Sequence, residues 1–590
     1  MPKRHTPRQA PNGAATELER TRQVLQAEID VYKQQIIDKT RLLNLLLPIN
    51  RLPPEVLTEV LIHWTDATKD LSPSLDRSWT RIAHVCHYWR EAALSSPRLW
   101  SNFALGALDW TREMLVRSKL APLRIAVFSL HTRLHVESLK LVLQELPRIE
   151  KFEFRFLDEI DNGMELGPSA PLLRSLIFAS SGMSRLWEPA KTSIVSLMEK
   201  ADMPKLTRLQ LLSCNVPWSS PLFRPTLTQL MFHDMHAKYA RSDFAQVLRV
   251  LESMPLLRDL DLRGVLPDVV GDATALPVLD PRVSLHALQN LSIAGTAQSC
   301  AFLLQHMDFS VNCLRIDCTT AVSEGWTTLA LTIASILRGS HSPTASAVSL
   351  RSMLLTPDGM TAWNSVHSLE TLGRMYRHST GELSPTLKLS VPAILLGSIL
   401  DDLATLPLEE VQSCMIASGK GGTHSPQWQE LFQAMPNVRE LGVFEATTCV
   451  MSALAQLVRV PVGQYKGRNG KQTSDVLLPN LKTLSLCLVR FRVYINEPDE
   501  DSTLTRTKEM LEARKKARRQ VEKLLIQGCI NFGHEDCKSL EGLVKEVDWD
   551  KAEDWYEDEE DDYTEGYYRE EDMAYRRILG SIEDDFNYPW

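Results

Sequence analysis

No apolar run in this 590-residue chain approaches the roughly 18–20 residues that a helix needs to cross a bilayer, which excludes a helical membrane span. The beginning, MPKRHTPRQAPNG, is basic and proline-bearing but leads into no apolar stretch, so it does not read as a secretory signal. No G-x-S-x-G, H-E-x-x-H or paired Cys-x-x-Cys is present, and with them go the signatures of serine hydrolases, zinc peptidases and dithiol redox proteins. The ten cysteines are scattered through apolar segments such as LRIDCTT and LSLCLVR, a distribution of reduced core thiols and not of a disulfide framework. An intracellular location, cytoplasmic or nuclear, is expected. In HVCH, the donors His84, Cys86 and His87 fall within one helical turn and point different ways, which is poor geometry for a metal. GRNGKQTSD lacks the glycine and hydroxyl of a phosphate loop, having Tyr465 and Gln472 in those places, and SGKGGTH fails as well. No catalytic residue, metal or cofactor is expected, and the chain reads as a non-catalytic protein.

What is present is ample core material, with 44% hydrophobic and 24% charged residues, and a very uneven charge. Of the net −9, a net −13 belongs to Asp548–Trp590, with seventeen acids against four bases, so everything before it is weakly basic. After residues 1–16, expected to be disordered, a long amphipathic helix is predicted over 17–47. Leu18, Leu25, Ile29, Tyr32, Ile36, Leu43 and Leu46 follow a seven-residue pattern, with Arg22 and Lys39 at its two remaining positions. Packing against its own domain is the expectation; a self-associating coiled coil is the alternative.

Residues 48–103 concentrate apolar surface. Pro53 and Pro54 suit the first turn of a helix, in which Val56, Leu57, Val60, Leu61 and Trp64 recur at helical spacing. TDATKDLSPSLDRS reads as a polar link. A second helix is expected through Trp79, Ile82, Ala83, Cys86, Trp89 and Ala93, with Val85 and Tyr88 elsewhere around it. So short a bundle cannot hide all of this, and a partner should cover the remainder.

LPPEVLTEVL followed by WTRIAHVCHYWREAALSSPRLW resembles an F-box, through Leu52, Pro53, Glu55, Val56, Leu57, Val85, Cys86, Trp89, Leu99 and Trp100. The helix running into LLPINRLPPEVL is similar to that of F-box proteins of mushroom-forming fungi. The resemblance implies the substrate-receptor subunit of a Skp–cullin–F-box ubiquitin ligase. Leu52, Pro53, Pro54, Glu55, Val56, Leu57, Val60, Val85, Cys86, Trp89, Leu99 and Trp100 would bind the Skp-type adaptor and, through it, cullin.

Across 104–500 one phrase recurs, P-x-Φ-x-x-Φ-x-Φ, where Φ is apolar. It appears as PRIEKFEF, PLLRSLIF, PKLTRLQL, PTLTQLMF, PLLRDLDL, HALQNLSI, FSVNCLRI, PTASAVSL, PNVRELGV and PNLKTLSL, with helical segments between. Strand and helix alternating in this way predict an α/β fold, an irregular leucine-rich-repeat-like solenoid of parallel strands, with residues 350–435 fitting poorly. Its outward strand positions, Glu153, Gln210, Met231, Asp261, Ser292, Arg315 and Ser485, would form the target-binding concave face. The segment 501–530 reads as a basic helix, a solvated cap in the first instance, with nuclear import or nucleic-acid contact behind it. Residues 531–590 read as an acidic, aromatic, disordered tail that could dock on a basic surface.

Overall fold

The computed structural model describes residues 12–71, 77–128, 133–155, 167–179, 194–214, 216–233, 243–268, 282–309, 313–318, 324–340, 346–378, 383–392, 396–417, 428–445, 448–455, 457–459, 474–492 and 502–554. They divide into two compact units at the junction of Thr207 and Arg208. Among them no helix is long and apolar enough to cross a membrane.

The first unit opens with α1 (Asn12–Leu45), a 3-10 turn (Pro48–Arg51) and α2 (Pro54–Leu71), then a 3-10 segment (Ser78–His84), α3 (His87–Ser95) and α4 (Pro97–Trp100). It continues through β1 (Asn102–Ala104), α5 (Leu108–Ser118), β2 (Leu123–Val127), α6 (Arg133–Gln144), β3 (Ile149–Arg155), β4 (Ser175–Ala179) and α7 (Ile194–Met198). Strands β1 to β4 are parallel neighbours, and Phe152 and Phe154 stand opposite Leu176 and Phe178, all fully buried.

Several expectations are corrected here. The first helix begins at Asn12, inside the stretch expected to be disordered, and none of its residues from 17 to 43 is buried, so among the described residues this part of the helix has no interior to pack into. Helix α2 runs to Leu71, past the start of the stretch read as a polar link, since residues such as Asp66 and Ala67 are tolerated in a helix. The helix expected from Trp79 to Ala93 is broken: Cys86 is extended at φ −157°, ψ 172°, with the 3-10 segment before it and α3 after it. A single rod apolar nearly all round could not turn every such side chain inward. The break lets Trp79, Ile82 and Ala83 be buried from one piece and Ala92 and Ala93 from the next.

The second unit is a mixed α/β region around a parallel-rich sheet. Its strands are β5 (Arg208–Leu212), β6 (Gln229–His233), β7 (Asp259–Arg263), β8 (Val283–Ser284), β9 (Asn290–Gly295), β10 (Met307–Asp308), β11 (Cys313–Cys318), β12 (Ser352–Thr356), β13 (Gly359–Trp363), β14 (Leu387–Ser390), β15 (Ser413–Ala417), β16 (Glu440–Phe444), β17 (Leu457–Arg459), β18 (Ser474–Val476), β19 (Thr483–Cys487), β20 (Lys523–Gln527) and β21 (Glu546–Trp549). Its helices are α8 (Phe244–Glu252), α9 (Ala297–Gln305), α10 (Trp326–Leu337), α11 (Leu369–His378), α12 (Leu396–Leu403), α13 (Trp428–Gln433), α14 (Thr448–Ala455), α15 (Thr503–Lys516) and α16 (His534–Leu540). The main sheet runs β5-β6-β7-β9-β11-β14-β13-β12-β15-β16-β19-β20-β21 and does not close into a barrel.

Two apolar rows cross this sheet. Leu209, Leu230, Leu260, Leu291, Leu314, Leu387, Ala362, Met353, Cys414, Leu441, Leu484 and Leu524 are laterally consecutive, and none is more than 2% exposed. Leu211, Phe232, Leu262, Ile293, Ile316 and Leu389 begin the second row, two residues further along each strand. Period-2 alternation thus commits one face of the strands from β5 to β20 of this sheet to the interior, in a unit whose helices line up α9-α10-α12-α13-α14-α15.

The poorly fitting stretch has a topological cause. Strands β12 and β13 form a hairpin, and β13 is the single antiparallel strand of the main sheet among the described residues. The chain passes from β11 beyond two strand positions to β12, then returns through β13 to set β14 beside β11. The turn Thr356-Pro357-Asp358-Gly359 closes the hairpin; Gly359 has φ +135°, and a Cβ there would lie 1.9 Å from the Leu389 carbonyl oxygen. Of PTASAVSL, where a strand is expected, residues 346–350 lie before β12 as irregular chain, and its first three residues lie outside the described residues.

The basic segment is also corrected: the helix stops at Lys516, and Lys523–Gln527 is a strand, because Leu524 and Ile526 continue the two buried rows. Structure extends into the stretch read as tail, with α16 and β21 before Asp554; residues 555–590, with the rest of that tail, lie outside the described residues. So do SGKGGTH and GRNGKQTSD, apart from the closing Ser474 and Asp475 of the latter.

Candidate protein-docking site

Helix α2 presents two apolar faces. Leu57, Leu61 and Thr65 turn inward, Leu57 and Leu61 being at most 2% exposed, whereas Val56, Val60 and Trp64 are 44 to 47% exposed. Val85, at the break before α3, is 60% exposed, and Ile49 and Leu47 at the entry are also open. The inner side is an aromatic core: Trp79 and Trp100 have ring centroids 5.5 Å apart, Arg117 sits 4.4 Å over the Trp100 ring, and the Trp100 indole donates to the Ala93 carbonyl at 2.7 Å.

Polar contacts hold the proline turn. Asn50, buried in the 3-10 turn, donates through Nδ2 to the Asn44 carbonyl at 2.6 Å and accepts through Oδ1 from the Trp89 indole at 2.7 Å. The Tyr88 hydroxyl donates to the Leu52 carbonyl at 2.6 Å. These bonds fasten the end of α1 and the Leu52-Pro53-Pro54 turn to α3, so the exposed side chains stand on a rigid base. Arg98 pairs with Glu59 at 2.7 Å on the surface.

The residues expected to bind an adaptor therefore separate. Pro53, Pro54, Glu55, Val56, Val60 and Val85 are exposed, and Leu52, Cys86 and Trp89 are half-buried. Leu57, Leu99 and Trp100 belong to the core and support the surface from beneath without presenting any of it. Asn50 was not singled out from sequence, because an asparagine beside prolines reads equally well as an ordinary turn residue. Trp64 was placed in the helix but not in the docking set, although it lies on the open face.

On the sheet, Gln210, Met231, Asp261, Ser292 and Arg315 are successive partners across β5, β6, β7, β9 and β11, so one lateral row does hold them. The row continues with Lys388 and Thr361 and reaches Ser485 only after Leu354, Met415 and Gly442. Those three are buried. Helix α11 lies over this stretch, with Leu372 packed against Leu354, Trp363, Met415 and Phe444, and Gly442 letting Leu369 approach. The polar face therefore extends from β5 to β14, and Ser485 is separated from it. Glu153 lies in the first unit and is 6% exposed, salt-bridged to Lys151 and Arg155.

A charged ladder organises the open part. Asp261 accepts from Arg263 at 2.9 Å and lies 3.0 Å from His233 Nε2, while Arg263 reaches Ser292 at 3.2 Å and Asp317 at 3.5 Å. Burial pushes the Asp261 carboxyl up, but its bonds from His233 and Arg263 outweigh this and hold it below the ordinary carboxylate range. Glu153 behaves alike: burial raises it, and Lys151 and Arg155 bring it below its usual value. Burial pushes the Cys414 thiol up to about 12 and that of Cys487 to about 11, as expected of core cysteines.

Comparison with known families places an F-box-like domain at residues 49–105, the span from the 3-10 turn through α2, α3 and α4 to just beyond β1. The match covers the exposed apolar side chains of α2 with Val85, and the Trp79 and Trp100 core beneath them; proteins with such a domain are typically non-catalytic. No curated protein matches the chain.

Proposed function

We propose that this chain is the substrate-recognition subunit of a Skp–cullin–F-box ubiquitin ligase, its F-box-like domain docking a Skp-type adaptor and its repeat region, an open leucine-rich-repeat-like solenoid, holding the target. The observation that carries this reading is the exposure of Val56, Val60, Trp64 and Val85 on a base locked by Asn50, Tyr88 and Trp89. Full burial of such a side chain contributes about 1.5–3 kcal/mol, and these four are 44 to 60% exposed, so covering them adds roughly half of that each, a favourable driving force from which binding costs are subtracted. The target surface would be the polar row from Gln210 to Lys388. Function then lies in proximity: a target lysine held near the ubiquitin-loaded enzyme reacts at a raised effective concentration, and this chain makes and breaks no bond.

The test is capture of adaptor and cullin by the full chain. Wild type retains both, and Val56→Asp combined with Val60→Asp loses both while keeping its thermal midpoint. Adaptor without cullin would favour a non-degradative scaffold; adaptor retained by the double variant would end the docking assignment. Binding to nucleic acid through the basic segment has less support, since Arg514 is fully buried with its guanidinium on the Leu477 and Leu478 carbonyls.

A further inference from the structure

Helix α1 extends for 34 residues, about 50 Å at 1.5 Å per residue, with its seam side chains in the open. From Leu18 to Leu46, one residue past the helix's last, the positions 18, 22, 25, 29, 32, 36, 39, 43 and 46 alternate steps of four and three, a strict 3.5-residue period. Seven are apolar, and their exposure runs from 47% at Ile29 to 74% at Leu18. A helix that packs into a globular groove has no need of this strict period, because an unsupercoiled helix drifts about 20° per heptad against it. The period is that of another helix wound around this one.

We infer that the occupant is α1 of a second copy, in a parallel two-stranded coiled coil that makes the protein a homodimer. Two charge observations select this arrangement. With Ile29 and Ile36 at the first core position of the heptad, Glu28 falls at the flanking position before it and Lys33 at the flanking position after the next core residue, Tyr32. In a parallel pair these two flanking positions face each other between chains, so Glu28 of each copy meets Lys33 of the other, twice by symmetry. Within one chain Lys33 reaches Asp30 at 3.7 Å, an exposed contact that is easily exchanged. In an antiparallel pair like flanking positions meet, and Glu28 finds no lysine.

The second observation is the pair of seam cations, Arg22 and Lys39. In the parallel pair each faces its own like charge across the seam, which weakens the coil and sets the number of strands. In a two-stranded coil a long cationic side chain at a core position escapes along the surface, whereas in three or four strands its charge is enclosed.

Sedimentation equilibrium of the full chain across the micromolar range tests this, with circular dichroism to confirm that each variant keeps its helix content. Wild type should sediment as a dimer. Ile29→Asp with Ile36→Asp, both on an exposed face, should give a monomer that still captures the adaptor. Glu28→Lys should raise the dimer dissociation constant about tenfold by turning two attractions into repulsions, and adding Lys33→Glu should restore it. A wild-type monomer, a trimer or larger assembly, or a charge exchange that does not restore affinity would overturn the proposal. Loss of adaptor capture by the Ile29 and Ile36 variant would also overturn it, by making α1 part of the adaptor's own footprint.

Discussion

The F-box-like domain and the sheet of the second unit use the same kinds of side chain to opposite ends. Across β5, β6, β7, β9, β11 and β14 each strand commits its buried apolar positions to two rows inside the unit and turns mostly polar side chains, such as Gln210, Asp261 and Arg315, the other way. Helix α2 holds apolar residues on both sides, and Val56, Val60 and Trp64 remain open. Strand geometry explains the first case, since a period of two permits only an inside and an outside. A helix distributes side chains around a cylinder, so one sequence can serve an interior and an exterior contact together. Exposed apolar surface on a rigid, hydrogen-bonded base is therefore the informative signal here, and apolar content by itself is not.

The sharpest way to break this contrast is to truncate one residue of each kind. Phe232→Ala, in the second buried row, should cost about 3–5 kcal/mol and lower the urea midpoint strongly, whereas Val60→Ser should leave the midpoint within error and weaken only adaptor binding. Equal losses of stability would mean that Val60 is covered within the free chain. A smaller effect is expected at the base of the docking surface: Asn50→Ala strands the Trp89 indole donor and should cost about 1–3 kcal/mol, lowering both thermal midpoint and adaptor affinity. Unchanged affinity would show that the proline turn holds its shape without the asparagine.

The smallest effect concerns acid. Asp261 and Glu153 are both held below their ordinary values, so the stability they contribute is fully present above their unfolded-chain pKa, about 4, and is lost as pH falls through the depressed native values. Urea midpoints followed from neutral pH downward should fall more gently below about pH 4 for Asp261→Asn with Glu153→Gln than for wild type. Parallel curves would show that these ladders do not distinguish the folded from the unfolded chain.

Much of the sheet was legible in advance. The phrase with apolar residues at its third, sixth and eighth places found β3, β4, β5, β6, β7, β9, β11, β16 and β19, because a half-buried strand after a turn leaves that periodic trace. It missed the hairpin, although TPDGM carried the signal: proline, aspartate and glycine in order mark a turn, and here they close β12 onto β13. It missed β20 because KLLIQ follows a run of lysines and arginines that continues a helical charge pattern. Met415, Phe444 and Leu354, facing away from the two rows, gave no sign that a helix from the same unit would cover them.

The sequence by itself determined the local periods: a heptad seam in α1, a proline-initiated amphipathic α2, and strands whose alternate residues must share a core. These follow from backbone geometry, which acts over a few residues. Tertiary structure alone decided which of two apolar faces on α2 stays open, where β13 enters against the direction of its neighbours, that α11 shortens the polar face of the sheet, and that Asn50 ties three segments together. Each of those depends on residues far apart in the chain meeting in space, and no local pattern records which of several equally apolar or polar groups will find a neighbour.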